Sequence, residues 1–210
     1  LSPRMLRVDP STGNVFWVEG CSTSGSYRGG HVRIYNYSGI TGYGARTGLT
    51  AGTVDQLTGW SNASGTCNTT AGSDALTSVS VAQANARFNN PVDIELMPDG
   101  LLVTDADTRR VFYLNASASA DGSTFASAWL GGSIAAQSMA KVTGCESNGS
   151  GSTCATTTND NVSGIAARNY EPYGVLYLPA GISASTSSVP VLLIADHWMA
   201  RLRELRLGTG

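Results

Sequence analysis

Four cysteines, two histidines and a scatter of carboxylates are the residues of this chain that can do chemistry. Cys21, Cys67, Cys145 and Cys154 permit three disulfide pairings. None stands in a Cys-x-x-Cys, and neither histidine keeps zinc-site spacing, so disulfides are expected and a structural zinc is not. His31 and His197 each fall at a predicted strand end, the ordinary place of a turn or surface histidine. Asp105 and Asp107 form an Asp-x-Asp with Asp99 nearby, residue types that suit calcium. Asp99 and Asp105 bracket a short apolar run, however, and should stand at its opposite ends. The reading preferred is that Asp105 accepts hydrogen bonds from turn amides. The chain has no Gly-x-Ser-x-Gly elbow and no glycine-rich loop in a phosphate-binding context, and no cofactor is expected.

Asn-x-Ser/Thr acceptors for N-linked glycans occur at Asn36, Asn62, Asn68, Asn115, Asn148 and Asn161, all in predicted turns or loops. Only 13% of residues are charged, against ~25% in an ordinary soluble domain. Serine, threonine, asparagine, glycine, glycan or another protein must therefore cover the surface. Sequons and cysteines together indicate a secreted or cell-surface protein. A net charge of −2 gives no electrostatic reason to expect nucleic acid, and the twelve arginines mostly sit singly. The longest apolar run, 189–195, contains Pro190 and is too short for a membrane span.

The stretch Asn90–Leu114, NPVDIELMPDGLLVTDADTRRVFYL, must position these groups. Val92, Ile94 and Leu96 alternate with Asp93, Glu95 and Met97, the period of a half-buried strand. Pro98-Asp99-Gly100 reads as a turn in which glycine supplies a positive φ. Leu101-Leu102-Val103 is an unbroken apolar run, as in a strand covered on both faces. Val111–Leu114 is a third strand. The same frame recurs over Pro3–Tyr35 and Pro172–Leu205: proline, an alternating strand, a turn, an apolar strand ending near Glu19, Asp105 or Asp196, then a strand carrying arginine.

These units resemble NHL repeats, the blades of a family of β-propellers. Ala86–Pro91 and Ala167–Pro172 match the run through which such repeats are often entered. The resemblance implies an all-β chain of three blades, an incomplete ring, over about 1–52, 86–132 and 167–210, with long polar connections 53–85 and 133–166. Lettered a to d outward from the axis, d strands are expected around Ala45–Ala51 and Phe125–Leu130. A helix is an alternative around Trp198–Leu205, and a short one is expected to start at Ser73-Asp74 and reach Ala82. Propeller topology would put b–c turns and d–a connections on one face, implying Cys21–Cys67 and Cys145–Cys154 bonds. It would put Asn36 and Asn115 at exposed c–d turns. Trp60, Trp129 and Trp198 are each expected in the core.

Some proteins with this fold are lyases that hold a metal with several histidines in the central channel. Here the axis-facing strands offer Arg4, Arg7, Asp9, Asp93, Glu95, Tyr173 and Tyr177, a thin set for catalysis. The leading expectation is a non-catalytic extracellular structural or interaction module, part of a surface fibre or cell-wall assembly. The rivals are a metal-dependent lyase or hydrolase completed by other blades, and a receptor-type propeller with a small ligand. The first residue is Leu1, and 207–210 stop where an outer strand would begin, so a piece of a larger protein is expected. Further blades of the same chain, or neighbouring copies, would then cover its flanks.

Overall fold

The computed structural model describes residues 2–23, 26–59, 81–82, 88–117, 134–144, 169–182 and 189–206, with side chains excepted at 21–28 and 81–82. The described residues are all-β, built of antiparallel sheets. β1 (Ser2–Val8), β2 (Val15–Thr23) and β3 (Ser26–Tyr35) form a meander. A two-stranded ribbon of β4 (Gly42–Tyr43) and β5 (Arg46–Thr47) follows, and β6 (Val54–Thr58) then pairs with β3 to complete the first sheet. The second sheet comprises β7 (Val81–Ala82), β8 (Pro91–Met97), β9 (Gly100–Asp105), β10 (Arg110–Asn115) and β11 (Ser138–Gly144) in the order β7-β11-β10-β9-β8. β12 (Pro172–Leu178), β13 (Val191–Asp196) and β14 (Arg201–Arg206) form the third.

The repeated frame is visible in the register. Pro3 lies opposite Glu19, Pro91 opposite Asp105 and Pro172 opposite Asp196. Proline has no N–H to give the ladder, so it suits the start of a sheet's first strand. Each first strand then bulges, between Arg4 and Leu6, Pro91 and Asp93, and Pro172 and Gly174.

The second sheet lies between the other two. Ile94, Leu101, Val103 and Phe112 pack with Phe16, Val18, Val32 and Ile34 of the first sheet. Leu102, Val111 and Val142 pack with Val175, Leu192 and Ile194 of the third. The run Leu101–Val103 is thus buried on both faces, and each such leucine adds about 1.5–3 kcal/mol of transfer free energy.

Several elements differ from the sequence reading. The first sheet's fourth strand is β6, not Ala45–Ala51, where Arg46–Thr47 pairs only with β4 and Gly48 takes a positive φ. β6 pairs with β3 from Val54 to Thr58, and its Leu57 reaches the core. The fourth strand of the second sheet is β11, whereas Phe125–Leu130 lies outside the described residues. Both fourth strands fall in stretches read as connections. Arg201–Arg206 is extended, not helical, because its pairing with β13 outweighs the helical spacing of its leucines. Val81–Ala82 is also extended, at the end of the expected short helix, the start of which is outside the described residues. Gly100 does not take a positive φ; it is required because a Cβ there would stand 1.9 Å from the Leu114 carbonyl oxygen.

Candidate functional site

Asp105 and Asp196 end their second strands and are built into turns, whereas Glu19 lies inside β2, which runs on to Thr23. Asp105 is fully buried and accepts hydrogen bonds from the backbone N–H of Asn89 (2.7 Å), Asn90 (3.0 Å) and Thr108 (3.2 Å). Burial pushes its carboxyl up to about 6, against the pull of those three amides. Asp196 holds the third sheet in the same way, accepting from the N–H of Tyr170 and Glu171 at 3.0 Å each and from Arg203 Nε at 3.2 Å. Glu19, one methylene longer, reaches side chains instead: Trp17 Nε1 at 3.1 Å and Arg33 Nε at 2.9 Å. Asp99 lies in the turn before β9 and Asp105 at its far end, so the two carboxylates do not converge. Among the described residues no three His, Cys, Asp or Glu side chains group to hold a metal. His31 is not at the surface: it is buried within β3, paired across the sheet with Glu19, its Nδ1 4.0 Å from Glu19 Oε2. His197 does occupy an exposed turn.

The first strands of the three sheets meet, and their charges meet with them. Arg7 on β1 donates to Glu95 Oε2 at 2.8 Å and to Asp93 Oδ1 at 3.3 Å, both on β8. Asp93 in turn accepts from Ile94 N–H and, through Oδ2, from Val175 N–H on β12 at 2.9 Å. One carboxylate therefore ties three sheets together. Desolvation raises its proton affinity, while the amides of Val175 and Ile94 and the charge of Arg7 oppose that rise. Nearer the strand starts, Arg4 donates to Asn90 Oδ1 at 2.6 Å, and Asn90 donates to Asp107 Oδ1 at 3.0 Å. Asp9 stands apart from this group. It closes the β1–β2 turn, where the Thr12 hydroxyl bond, first among its contacts, lowers its carboxyl below the usual range. Tyr177 packs against the apolar layer between the second and third sheets.

Two of the glycan acceptors are not where exposure was expected. Asn36 and Asn115 are both fully buried. Asn36 Nδ2 donates to the Ile40 carbonyl at 2.7 Å, and its Oδ1 accepts from Gly39 and Ile40 N–H. Asn115 Nδ2 donates to the carbonyls of Ile134 and Ala135, and its Oδ1 accepts from Ser117 N–H. Both amides brace the chain leaving a third strand, and the nitrogen that would carry a glycan is already engaged. Asn62, Asn68, Asn148 and Asn161 lie outside the described residues, as do Cys67, Cys145 and Cys154. Cys21 lies in β2, and its side chain is outside the described set.

Of the tryptophans expected in the core, Trp60 and Trp129 lie outside the described residues, and Trp198 is 67% exposed. It belongs to a group of aromatic side chains, with Tyr170, Tyr173 and His197, that sequence reasoning did not assemble. The signal was available: aligned on its acids, the third unit carries aromatic residues where the second carries non-aromatic ones. Compared with models of known families, the chain matches none, and a search of curated proteins returns no match.

Proposed function

We propose that the chain is a non-catalytic structural or interaction module of an extracellular glycoprotein, built of NHL-like propeller blades. Its open flanks are covered by further blades or by neighbouring copies in an oligomer or fibre. The observation that carries this reading is the exposed apolar surface of the two outer sheets. On β1, Met5, Leu6 and Val8 are each about half exposed or more. On the third sheet, Leu176 and Leu202 are 45% and 69% exposed. Contiguous surfaces of this kind mark contact sites on soluble proteins. The propeller reading rests on the shared frame, proline opposite acid followed by a bulge, and on first strands that gather side by side. A scaffold role is supported by the state of the gathered charges: Arg7, Asp93 and Glu95 are engaged with one another and with backbone, which suits holding sheets together.

The extracellular assignment rests on the sequons in the polar connections, Asn62, Asn68, Asn148 and Asn161, and on the cysteines, for which we retain the Cys21–Cys67 and Cys145–Cys154 pairings. Sedimentation analysis of the purified 210-residue chain tests the assembly. Concentration-dependent self-association is expected, and a monomer at every concentration would refute the reading.

A further inference from the structure

The second and third sheets carry the same turn on the same backbone. In the second, Asp105 accepts from Asn89 and Asn90 N–H, Ala106 N–H donates to the Asn90 carbonyl, and Arg109 N–H donates to the Ala106 carbonyl. In the third, Asp196 accepts from Tyr170 and Glu171 N–H, His197 N–H donates to the Glu171 carbonyl, and Ala200 N–H donates to the His197 carbonyl. Both turns end on a left-handed residue, Arg109 at φ 61° and Ala200 at φ 48°. This pairing makes Asn89 the counterpart of Tyr170, Val92 of Tyr173, Ala106 of His197 and Asp107 of Trp198. Four positions that the second unit fills with non-aromatic side chains are aromatic in the third. The turn folds without them, so folding does not explain them.

What the four rings form is a surface. Tyr173 and His197 lie 4.9 Å apart between centroids, His197 and Trp198 6.5 Å, and Tyr170 and Trp198 5.9 Å. Tyr173 is the bulge residue of β12, between Pro172 and Gly174, and a bulge re-aims its side chain. Trp198 and the His197 side chain are about two-thirds exposed, and Tyr173 nearly half. Polar groups are set among the rings: Glu171 Oε2 is 3.3 Å from His197 Nδ1, and the Arg109 guanidinium lies 4.2 Å from the Tyr170 centroid.

We propose that this turn cluster binds a neutral saccharide, one sugar ring lying on Trp198 and Tyr173 while its hydroxyls bond to Glu171 and His197. The negative face of an aromatic ring attracts the weakly positive C–H face of a pyranose. With His197 Nδ1–H given to Glu171, Nε2 is an acceptor for a hydroxyl, and the Glu171 carboxylate, which also meets the Tyr173 hydroxyl, has further lone pairs to accept a sugar hydroxyl. The rings follow one another in the order Tyr173, His197, Trp198, Tyr170, and the Arg109 guanidinium already lies on the last of them. An apolar protein side chain seated here would strip Glu171 and His197 of water without replacing its hydrogen bonds, whereas a sugar replaces them.

The site is built on the β13–β14 turn and the start of β12 and does not use the Leu176 and Leu202 side chains, so saccharide binding and self-association are read separately. The test is a glycan array of neutral, anionic and amino-sugar oligosaccharides probed with the complete 210-residue chain. A calorimetric titration with the best neutral glycan then follows. Trp198→Asp copies the counterpart residue Asp107 and therefore suits the turn. It is expected to keep the thermal melt and to weaken binding about tenfold or more, as is Tyr173→Ala. Leu202→Ala, outside the cluster, is expected to bind as the wild type does. Retention of no neutral glycan, preference for anionic glycans, or undiminished binding by Trp198→Asp would each overturn the proposal. So would loss of binding in Leu202→Ala alone.

Discussion

Asp105 is shielded from water yet accepts three amide hydrogens, and these two facts act oppositely on its proton. Burial wins: the folded carboxyl titrates at about 6, against 3.8 for a free one. Between those values the folded chain holds a proton that the unfolded chain has lost. Stability from this group is therefore greatest below the unfolded value and falls as pH rises through about 6. Asp93, also raised by burial, acts in the same sense, and Asp9, held low by Thr12, in the opposite one. Comparing Asp105→Asn with wild type cancels both. The variant should lose much of the fall in melting temperature from about pH 4 to about pH 6. It should also cost on the order of 1–3 kcal/mol, because the Asn89 N–H loses its acceptor. Thermal melts across that range decide it, and an unchanged slope would assign the titration elsewhere. A second outcome at this scale concerns Asn36 and Asn115. Glycopeptide mass spectrometry of native protein should find both unmodified, with any occupied sites among Asn62, Asn68, Asn148 and Asn161. Asn36→Ala should cost roughly 1–3 kcal/mol, since two amides and one carbonyl lose their partner together. A glycan on either asparagine would show that its turn is built differently in the native protein.

At the scale of elements, Arg7, Asp93 and the Val175 amide join β1, β8 and β12 through one carboxylate. Asp93→Ala orphans two buried N–H groups and leaves Arg7 held by Glu95 alone, a loss on the order of 2–4 kcal/mol. Arg7→Met leaves Asp93 its two amides and should cost less, about 1–2 kcal/mol. Urea unfolding of both single variants and the double variant gives the coupling directly. An Asp93→Ala effect within about 0.5 kcal/mol of wild type, the scale of a surface change, would remove the carboxylate as a tie. Nothing about Asp93 in the sequence distinguishes it from any alternating polar residue of a strand. Its partners lie more than eighty residues away in either direction, beyond the reach of local pattern. What was legible is what a short window contains: the first, second and third strand of each unit, the acid at the second strand's end, and the apolar run of β9. The fourth strands were not, because β6 and β11 are specified by pairing with β3 and β10 across long polar connections. The exposed aromatic group was half legible, since its residues flank one acid on two strands, but only the shared turn geometry shows that they gather.

Across the whole molecule, burial is lopsided in a way that bears on assembly. The middle sheet has neighbours on both faces, and β9, β10 and β11 are buried throughout. Among the described residues the outer sheets are covered on one face only, and apolar residues remain exposed: Met5, Leu6 and Val8 on one sheet, Leu176 and Leu202 on the other. On the third sheet the register explains the choice. Val175 and Ile194 are paired and point into the core, so their neighbours Leu176 and Leu202 emerge on the opposite face. The two exposed surfaces differ in sequence and shape, so contact between copies that joins one to the other is heterologous, and repeats into a ring or a fibre. Contact of the third sheet with itself is isologous and stops at a dimer. Charged substitutions separate these cases. Leu176→Glu with Leu202→Glu places two carboxylates on one surface, and Leu6→Glu places one on the other. All three positions are exposed, so each change should move stability by no more than about 0.5 kcal/mol. For heterologous assembly, either variant alone abolishes association beyond the monomer, while mixing the two variants yields a dimer through the intact pair of surfaces. For an isologous dimer, only the third-sheet variant dissociates it, and mixing restores nothing. Analytical ultracentrifugation of each variant and of the mixture reads the outcome. The propeller reading favours the heterologous pattern, because blades stack front to back around an axis. Self-association that survives both substitutions would show that neither apolar surface holds the assembly together.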